Sequence, residues 1–356
     1  MTATLPARAD VVVIGGGVVG LATARELAGA GRDVVVLEQF ALDHTRGGSH
    51  GDARVFAYVH PEPEWVPMAV ESMRLWRELE AEAGERLLDD SGGLYATERA
   101  SLLTPALTEN GVAFELLSAA ATAERFPVTL PAGKQAIWTP QAATIFADRA
   151  LLALAASVRT RGGAIHERTP VTALRRTPGG PGRVELETAA GAIRAETVVV
   201  AAGGWAGPLL AQAGVELPLV TRRGTVAYFP FRAGERIPPP LFEEGSPSIY
   251  SATSPGHGLK LGESRIGPTV DPDAPWEPDA ESAARLAQRV RERFPTAVPS
   301  DPHLEIGLFG NLPEPRFVLE EHDGVIAAAA CEGRGFKFAP LTGARLAALA
   351  TAPAVR

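Results

Sequence analysis

The sequence is short of several things, and each shortage narrows what it can be. It has one cysteine, Cys331, in 356 residues. A single thiol excludes an internal disulfide and any zinc or iron–sulfur site built from several cysteines, and it suits a reducing compartment. No apolar run approaches the ~18–20 residues of a membrane helix. The run from Val11 is cut by glycines and followed by Arg25 and Glu26. Met1–Asp10 carries no targeting pattern, so a soluble, cytoplasmic protein with no membrane partner is expected. Lysine is scarce as well: of 34 basic residues only Lys134, Lys260 and Lys337 are lysine. Arginine stays charged and carries a broad planar head, so it cannot replace a compact ammonium everywhere. Each lysine is therefore a candidate for a special role, weighed against chance retention on a solvated surface. The net charge of −8 argues against a nucleic-acid partner held through phosphates.

What is present begins with a βαβ unit. Val11–Ile14 is a β-branched run, Gly15-Gly-Gly-Val-Val-Gly20 follows, Val19–Ala30 has helical spacing, and Val34–Leu37 is a second apolar strand closed by Glu38. Gly15, Gly17 and Gly20 have the GxGxxG spacing, which gives a tight turn, close approach to a pyrophosphate and close helix–strand packing. The helix start offers N–H groups to the anion, and Glu38 can accept from ribose hydroxyls. The motif fits NAD or FAD. Two later features favour FAD, which lies extended and needs several distant segments: the strand Thr197–Gly204 with its glycine pair, and the turn Gly333–Phe338.

The remaining chain reads as a second unit inserted into the first. Asp43–Arg54 is too rich in small and polar residues for a core element and is expected to be a functional loop. Trp65–Glu82 is an amphipathic helix, and residues 86–145 are expected to alternate short strands with turns. Leu151–Arg161, Ala280–Phe294 and Leu341–Ala350 read as helices. Ala164–His166, Arg183–Glu187, Ala192–Arg194 and Val325–Cys331 read as strands. The expected class is α/β: a Rossmann-like cofactor domain from residues 1–85, 145–216 and 318–356, with an inserted α+β substrate domain, 86–144 and 217–317, containing an antiparallel sheet. Lys134 follows Pro131 and Gly133 and is expected at the surface; Asp89-Asp90 and Glu243-Glu244 are expected in solvated turns. His44 and His50 find no third ligand at metal spacing, so no metal is expected.

Six strings carry a resemblance that runs nearly end to end: GGGVVG with Glu38, HTRGGSHGDAR at 44–54, TIFADR at 144–149, VVVAAGGWAGPLL at 198–210, GHGLKLG at 256–262 and GRGFKF at 333–338. The chain resembles the sarcosine oxidase family of FAD-dependent amine oxidases, within the wider D-amino-acid oxidase group. The resemblance implies oxidation of a C–N bond of a secondary amine or amino-acid derivative to an imine, with dioxygen reoxidising the flavin to yield hydrogen peroxide. It implies that Lys260 promotes the dioxygen step, with Arg54 and His50 near the flavin ring, and that Lys337, Phe309 and Tyr250 meet the substrate. It also implies cofactor contacts from Gly15, Gly17, Gly20, Glu38, Gly47, Gly48, Ser49, Gly203, Gly333, Gly335, Phe336 and Lys337. His44 and His50 read equally as loop histidines bonded to backbone.

Departures from the family pattern limit the reading. Gly307 stands where sarcosine oxidase has its flavin-linking cysteine, so non-covalent FAD is expected. Ala57 replaces the arginine that grips the substrate carboxylate, which leaves Arg222, Arg223 or Arg334 to supply the contact or implies a substrate without that group. Ser264 and Phe309 replace a histidine and a tyrosine, pointing to a different amine, larger or cyclic. A same-fold dehydrogenase or ring-desaturating enzyme, and a flavin-binding protein without catalysis, remain as alternatives. A monomer or small homo-oligomer is expected.

Overall fold

A computed structural model of the chain describes residues 4–177, 183–264, 267–314, 316–330 and 333–352. Cys331 lies outside these. The strand Gly191–Val200 organises the first of three sheets. Arg8–Ile14 runs parallel along one edge of it, then Val34–Leu37 and Ala164–His166 follow in parallel. Along its other edge the first half pairs antiparallel with Val184–Thr188, and Val198–Val200 pairs parallel with Val325–Ala327. Alternation of side chains divides this sheet between two cores. Val11, Val13, Val34 and Val36 pack with Ala24, Leu27 and Leu346 on one face, while Val12, Ile14, Val35 and Leu37 join Leu186 and Leu210 on the other. A strand buried on both faces explains the unbroken valine runs.

The second sheet has eight strands, in the order 303–311, 220–229, 258–263, 249–254, 241–243, 93–97, 135–139 and 115–117. All pairings are antiparallel except Leu241–Glu243 with Gly93–Thr97. The helix Ala280–Arg293 buries Leu286 and Val290 against it. A small third sheet, Ala53–Phe56 with Ala143–Phe146 and Leu88–Asp89, contributes Arg54.

The structure corrects several expectations from sequence. Residues 86–145 also hold the helices Ala100–Glu109 and Ala119–Arg125. The first contains Pro105 and the second is a seven-residue segment capped by the Ser118 hydroxyl, so neither shows a long apolar stripe. Ala192–Arg194 and the later valine run form one continuous strand, because pairing with Arg8–Ile14 spans both. Ala53 and Arg54 leave the loop for a strand. Lys134 is no surface residue: its ammonium binds Glu243 at 2.9 Å and the Glu244 carbonyl. Arg293 grips Glu243 from the other side at 2.7 Å, and the three side chains are each about one-tenth exposed. Glu243-Glu244 is therefore a buried ionic joint, not a solvated turn.

Candidate active site

One continuous cavity of ≈1080 Å³ runs between the two large sheets, from the glycine loop to the turn at Gly333–Lys337. Gly15 has φ +110°, and a Cβ there would sit 2.5 Å from the Ala201 carbonyl oxygen. A Cβ on Gly20 would sit 1.9 Å from the Gly15 oxygen, so only glycine lets the helix Val18–Gly29 start this close to the strand. Gly15 and Gly17 line the cavity, whereas Gly20 lies beneath it. The Ser49 hydroxyl accepts from Val18 N–H at 3.2 Å, which sets the 47–49 turn across the positive end of this helix. Gly47, Gly48 and Gly203 line the same stretch. Glu38 is buried at the end of its strand; its carboxylate accepts from Gly16 N–H at 2.6 Å and Phe40 N–H at 2.8 Å. One bond on each oxygen leaves each a further lone pair for the cavity. The glycine cradle, the open helix terminus and this carboxylate fit the diphosphate and ribose of FAD.

The middle of the cavity is cationic. Arg54 donates to the carbonyls of Ala53 (2.9 Å), Gly48 (3.0 Å) and His50, and its guanidinium lies over the Phe336 ring at 5.3 Å. His50 Nε2 donates to the Ile306 carbonyl at 2.9 Å, and burial together with nearby Arg54 pulls its pKa down to about 4. His50 is thus neutral at pH 7. Lys260 is buried, with Nζ donating to the Ala53 carbonyl at 2.9 Å and lying 5.4 Å from the Tyr228 ring centre. Burial, reinforced by Arg54, holds its ammonium well below the usual lysine range, and Glu305, Asp52 and Asp148 oppose that shift. Gly307 and Phe309 also line the cavity, on the strand that meets the 47–50 turn.

The far end is built from the GRGFKF turn. Ser72 and Trp76, on the helix Trp65–Ala83, donate to the Lys337 carbonyl at 2.6 and 2.8 Å, and Trp76 stacks on Phe336 at 5.9 Å. This fixes the Lys337 backbone and leaves its side chain to the cavity. The Lys337 ammonium makes no hydrogen bond or ion pair among the described residues, and burial with Arg334 alongside lowers its pKa to about 7. Arg334 lies over Trp65 at 4.1 Å with Glu62 at 3.5 Å. Gly333, Gly335, Tyr250, Ser264 and Ala57 also line the cavity. Of the arginines proposed to replace the missing clamp, Arg334 and Arg222 reach it, whereas Arg223 turns away to the Glu277 carbonyl.

Three site features lack a motif in the sequence. His60 is buried between Trp65 and Phe338, its Nε2 without a hydrogen-bond partner among the described residues, and burial beside Lys337 and Arg334 drives its pKa well below the ordinary value. Glu244 binds Tyr95 at 3.0 Å, Thr97, and Arg99 at 2.6 Å. Arg46 sits over the nucleotide end. The only sequence signal was the position of Arg46 inside the polar 43–54 loop.

Comparison with known proteins agrees with this geometry. The family model for FAD dependent oxidoreductases, DAO, matches residues 10–349. Peroxisomal sarcosine oxidase of Homo sapiens is 30% identical over 361 residues, covering 94% of this chain and 90% of that protein. Monomeric sarcosine oxidase of Bacillus sp. (strain NS-129) is 28% identical, covering 96% and 92%. Among solved structures, the open form of NikD, described as an unusual amino acid oxidase essential for nikkomycin biosynthesis, superposes with a TM-score of 0.86 at 28% identity over 99% of this chain and 96% of its own.

Proposed function

The chain belongs to the DAO family of FAD-dependent oxidoreductases, and from that membership we propose that it oxidises a C–N bond of a carboxylate-bearing secondary amine or cyclic amino acid to an imine, with dioxygen as the final acceptor and hydrogen peroxide as product. It is an amine-oxidising enzyme of the sarcosine oxidase type. The observation that carries the finer reading is that Lys260 and Lys337 open on one cavity continuous with the glycine cradle. FAD, held without a covalent bond, supplies the two-electron chemistry. Gly307, at the position of the family's flavin-linking cysteine, lines the cavity and offers no thiol there.

The chain's own residues bind and orient. Lys337 and Arg334 receive the substrate carboxylate: among the described residues the ammonium makes no hydrogen bond or ion pair, and the buried Arg334 Nη1 makes no hydrogen bond, facing Glu62 at 3.5 Å. An incoming carboxylate restores the ammonium by pairing with it. Tyr95, Phe242 and Tyr250 line the cavity, with Tyr95 and Phe242 stacked at 5.1 Å, an aromatic lining that suits a ring better than a lone methyl group. Lys260 holds a proton at Nζ on the other side. Negative charge arriving in the cavity favours its ammonium form, which then stabilises charge developing on dioxygen. Lys260→Met tests this in rapid mixing. Reoxidation by dioxygen should slow far more than reduction by amine; equal slowing of both would remove Lys260 from the dioxygen step. The depressed basicity of Lys260 favours one second reading, a dehydrogenase with another acceptor, which turnover without peroxide release would establish.

A further inference from the structure

The nucleotide end of the cavity is covered by a segment that belongs to the other sheet. Val270 N–H donates to the Thr221 carbonyl at 2.9 Å, and Asp279 N–H to Thr225 Oγ1 at 2.8 Å, so both ends of the intervening stretch hang from the strand Val220–Phe229. Between them the chain leaves the sheet. Asp273 N–H donates to Asp271 Oδ1 at 2.9 Å and Trp276 Nε1 to the Asp271 carbonyl at 3.2 Å, which fold the segment on itself.

Two contacts fasten it across the cavity. Trp205, which follows the Gly203-Gly204 pair, donates from Nε1 to Asp273 Oδ1 at 2.8 Å. Arg46 donates to the carbonyls of Pro272 (3.3 Å) and Asp273 (3.1 Å), and its guanidinium lies between the Trp276 ring at 5.6 Å and the Phe40 ring at 5.2 Å. Phe40 stands two residues after Glu38 and meets Trp205 edge-on at 5.7 Å. Asp271, Pro272 and Asp273 line the same cavity as Glu38 and Arg46.

We propose that Arg46, Trp205 and the segment Asp271–Trp276 form a clasp that retains the dinucleotide, and that FAD is taken up and released only when the clasp opens. This rests on the reading of the cavity as a non-covalent FAD site. Without a covalent bond, the residence time of the cofactor is set by whatever must move aside for it. The clasp contacts are a hydrogen-bonded, ring-stacked arginine and one indole N–H, which can break and reform without disturbing either sheet. An arginine sandwiched between two rings and satisfied by carbonyls holds the segment without neutralising its own charge, which stays available to the cofactor side.

The test is FAD exchange in the full-length protein. Flavin fluorescence follows release into an excess of a trapping apoflavoprotein, and uptake by the stripped protein. Trp276 does not line the cavity, so Trp276→Ala removes a stacking partner of Arg46 and the indole bond that folds the segment, without touching the cofactor. Release and uptake should both quicken by about tenfold, with affinity little changed, because opening is faster in both directions. Trp205→Phe, which deletes one N–H and keeps a ring, should quicken both by a smaller factor, and it carries the test if Trp276→Ala does not fold. Faster release with unchanged uptake would make these residues direct cofactor contacts and overturn the clasp. Unchanged exchange in both variants would overturn it too. A parent protein that binds no FAD would instead overturn the cofactor reading, and the clasp with it.

Discussion

Lys337→Met separates what this lysine does for the fold from what it does for the substrate. The ammonium makes no hydrogen bond or ion pair among the described residues, and its enclosure beside Arg334 moves its pKa from 10.5 to about 7. At about 1.4 kcal/mol per pH unit, keeping that ammonium charged costs the folded state up to about 5 kcal/mol below pH 7. Water in the cavity lowers this figure. The folded value lies below the unfolded one, so between about pH 7 and 10.5 the unfolded chain binds more protons, and stability rises with pH across that window. Methionine has a similar length and no charge, and the bonds from Ser72 and Trp76 go to the residue's carbonyl, which the substitution keeps. The variant apoprotein should therefore be more stable than the parent by about 2–4 kcal/mol at pH 6–7. The advantage should shrink steadily and vanish above about pH 10. Denaturant unfolding of both apoproteins across this range measures it. A variant that is less stable at pH 6–7, or an advantage independent of pH, would refute the claim that Lys337 is a strained, unpaired cation awaiting an anion.

Two further outcomes follow from the same geometry. An unreactive carboxylate ligand, followed by the change it causes in the flavin spectrum, should bind the parent most tightly below pH 7 and lose up to about tenfold in affinity per pH unit from 7 to 9, as Lys337 discharges; a flat profile would assign the carboxylate to Arg334 alone. Lys134→Met should cost about 2 kcal/mol at pH 7, since Glu243 keeps Arg293 but loses its second partner in a buried site. Glu243 is held below its ordinary value by these partners, so that stabilisation is present above about pH 4.5 and fades as pH falls through the lowered value. Urea unfolding from pH 7 down through the acid range should show a difference between parent and variant that holds above about pH 4.5 and shrinks only as pH falls below it; a difference that does not shrink on acidification would contradict the pairing.

The parts of this protein legible in its sequence are those whose chemistry is local. The glycine loop is written in six residues because one turn, one helix start and one strand must meet there, and the Cβ distances at Gly15 and Gly20 show why no other residue serves. Lys260 and Lys337 stood out because lysine is rare here and both lie in short strings that build the cavity wall. What was not legible is assembled from distant segments. Lys134 looked like a turn residue, yet its partner Glu243 lies 109 positions away, and Arg293 another 50 beyond that. The corner formed by His60, Glu62 and Arg334 joins the approach to the helix Trp65–Ala83 with the C-terminal turn, and neither side carries a pattern of its own. The helix Ala100–Glu109 leaves a weak sequence pattern because its apolar stripe is short and broken by Pro105.

Oxidation of a carboxylate-bearing amine in this cavity would give a direct optical signal. It is tested most directly by mixing the FAD-loaded protein, without oxygen, with a panel of secondary and cyclic amino acids alongside amines lacking a carboxylate. Members of the first group should bleach the visible flavin band, the second group should not, and admitting dioxygen should restore the colour with release of peroxide. A flavin that no amine bleaches, or one bleached equally by amines without a carboxylate, would contradict it.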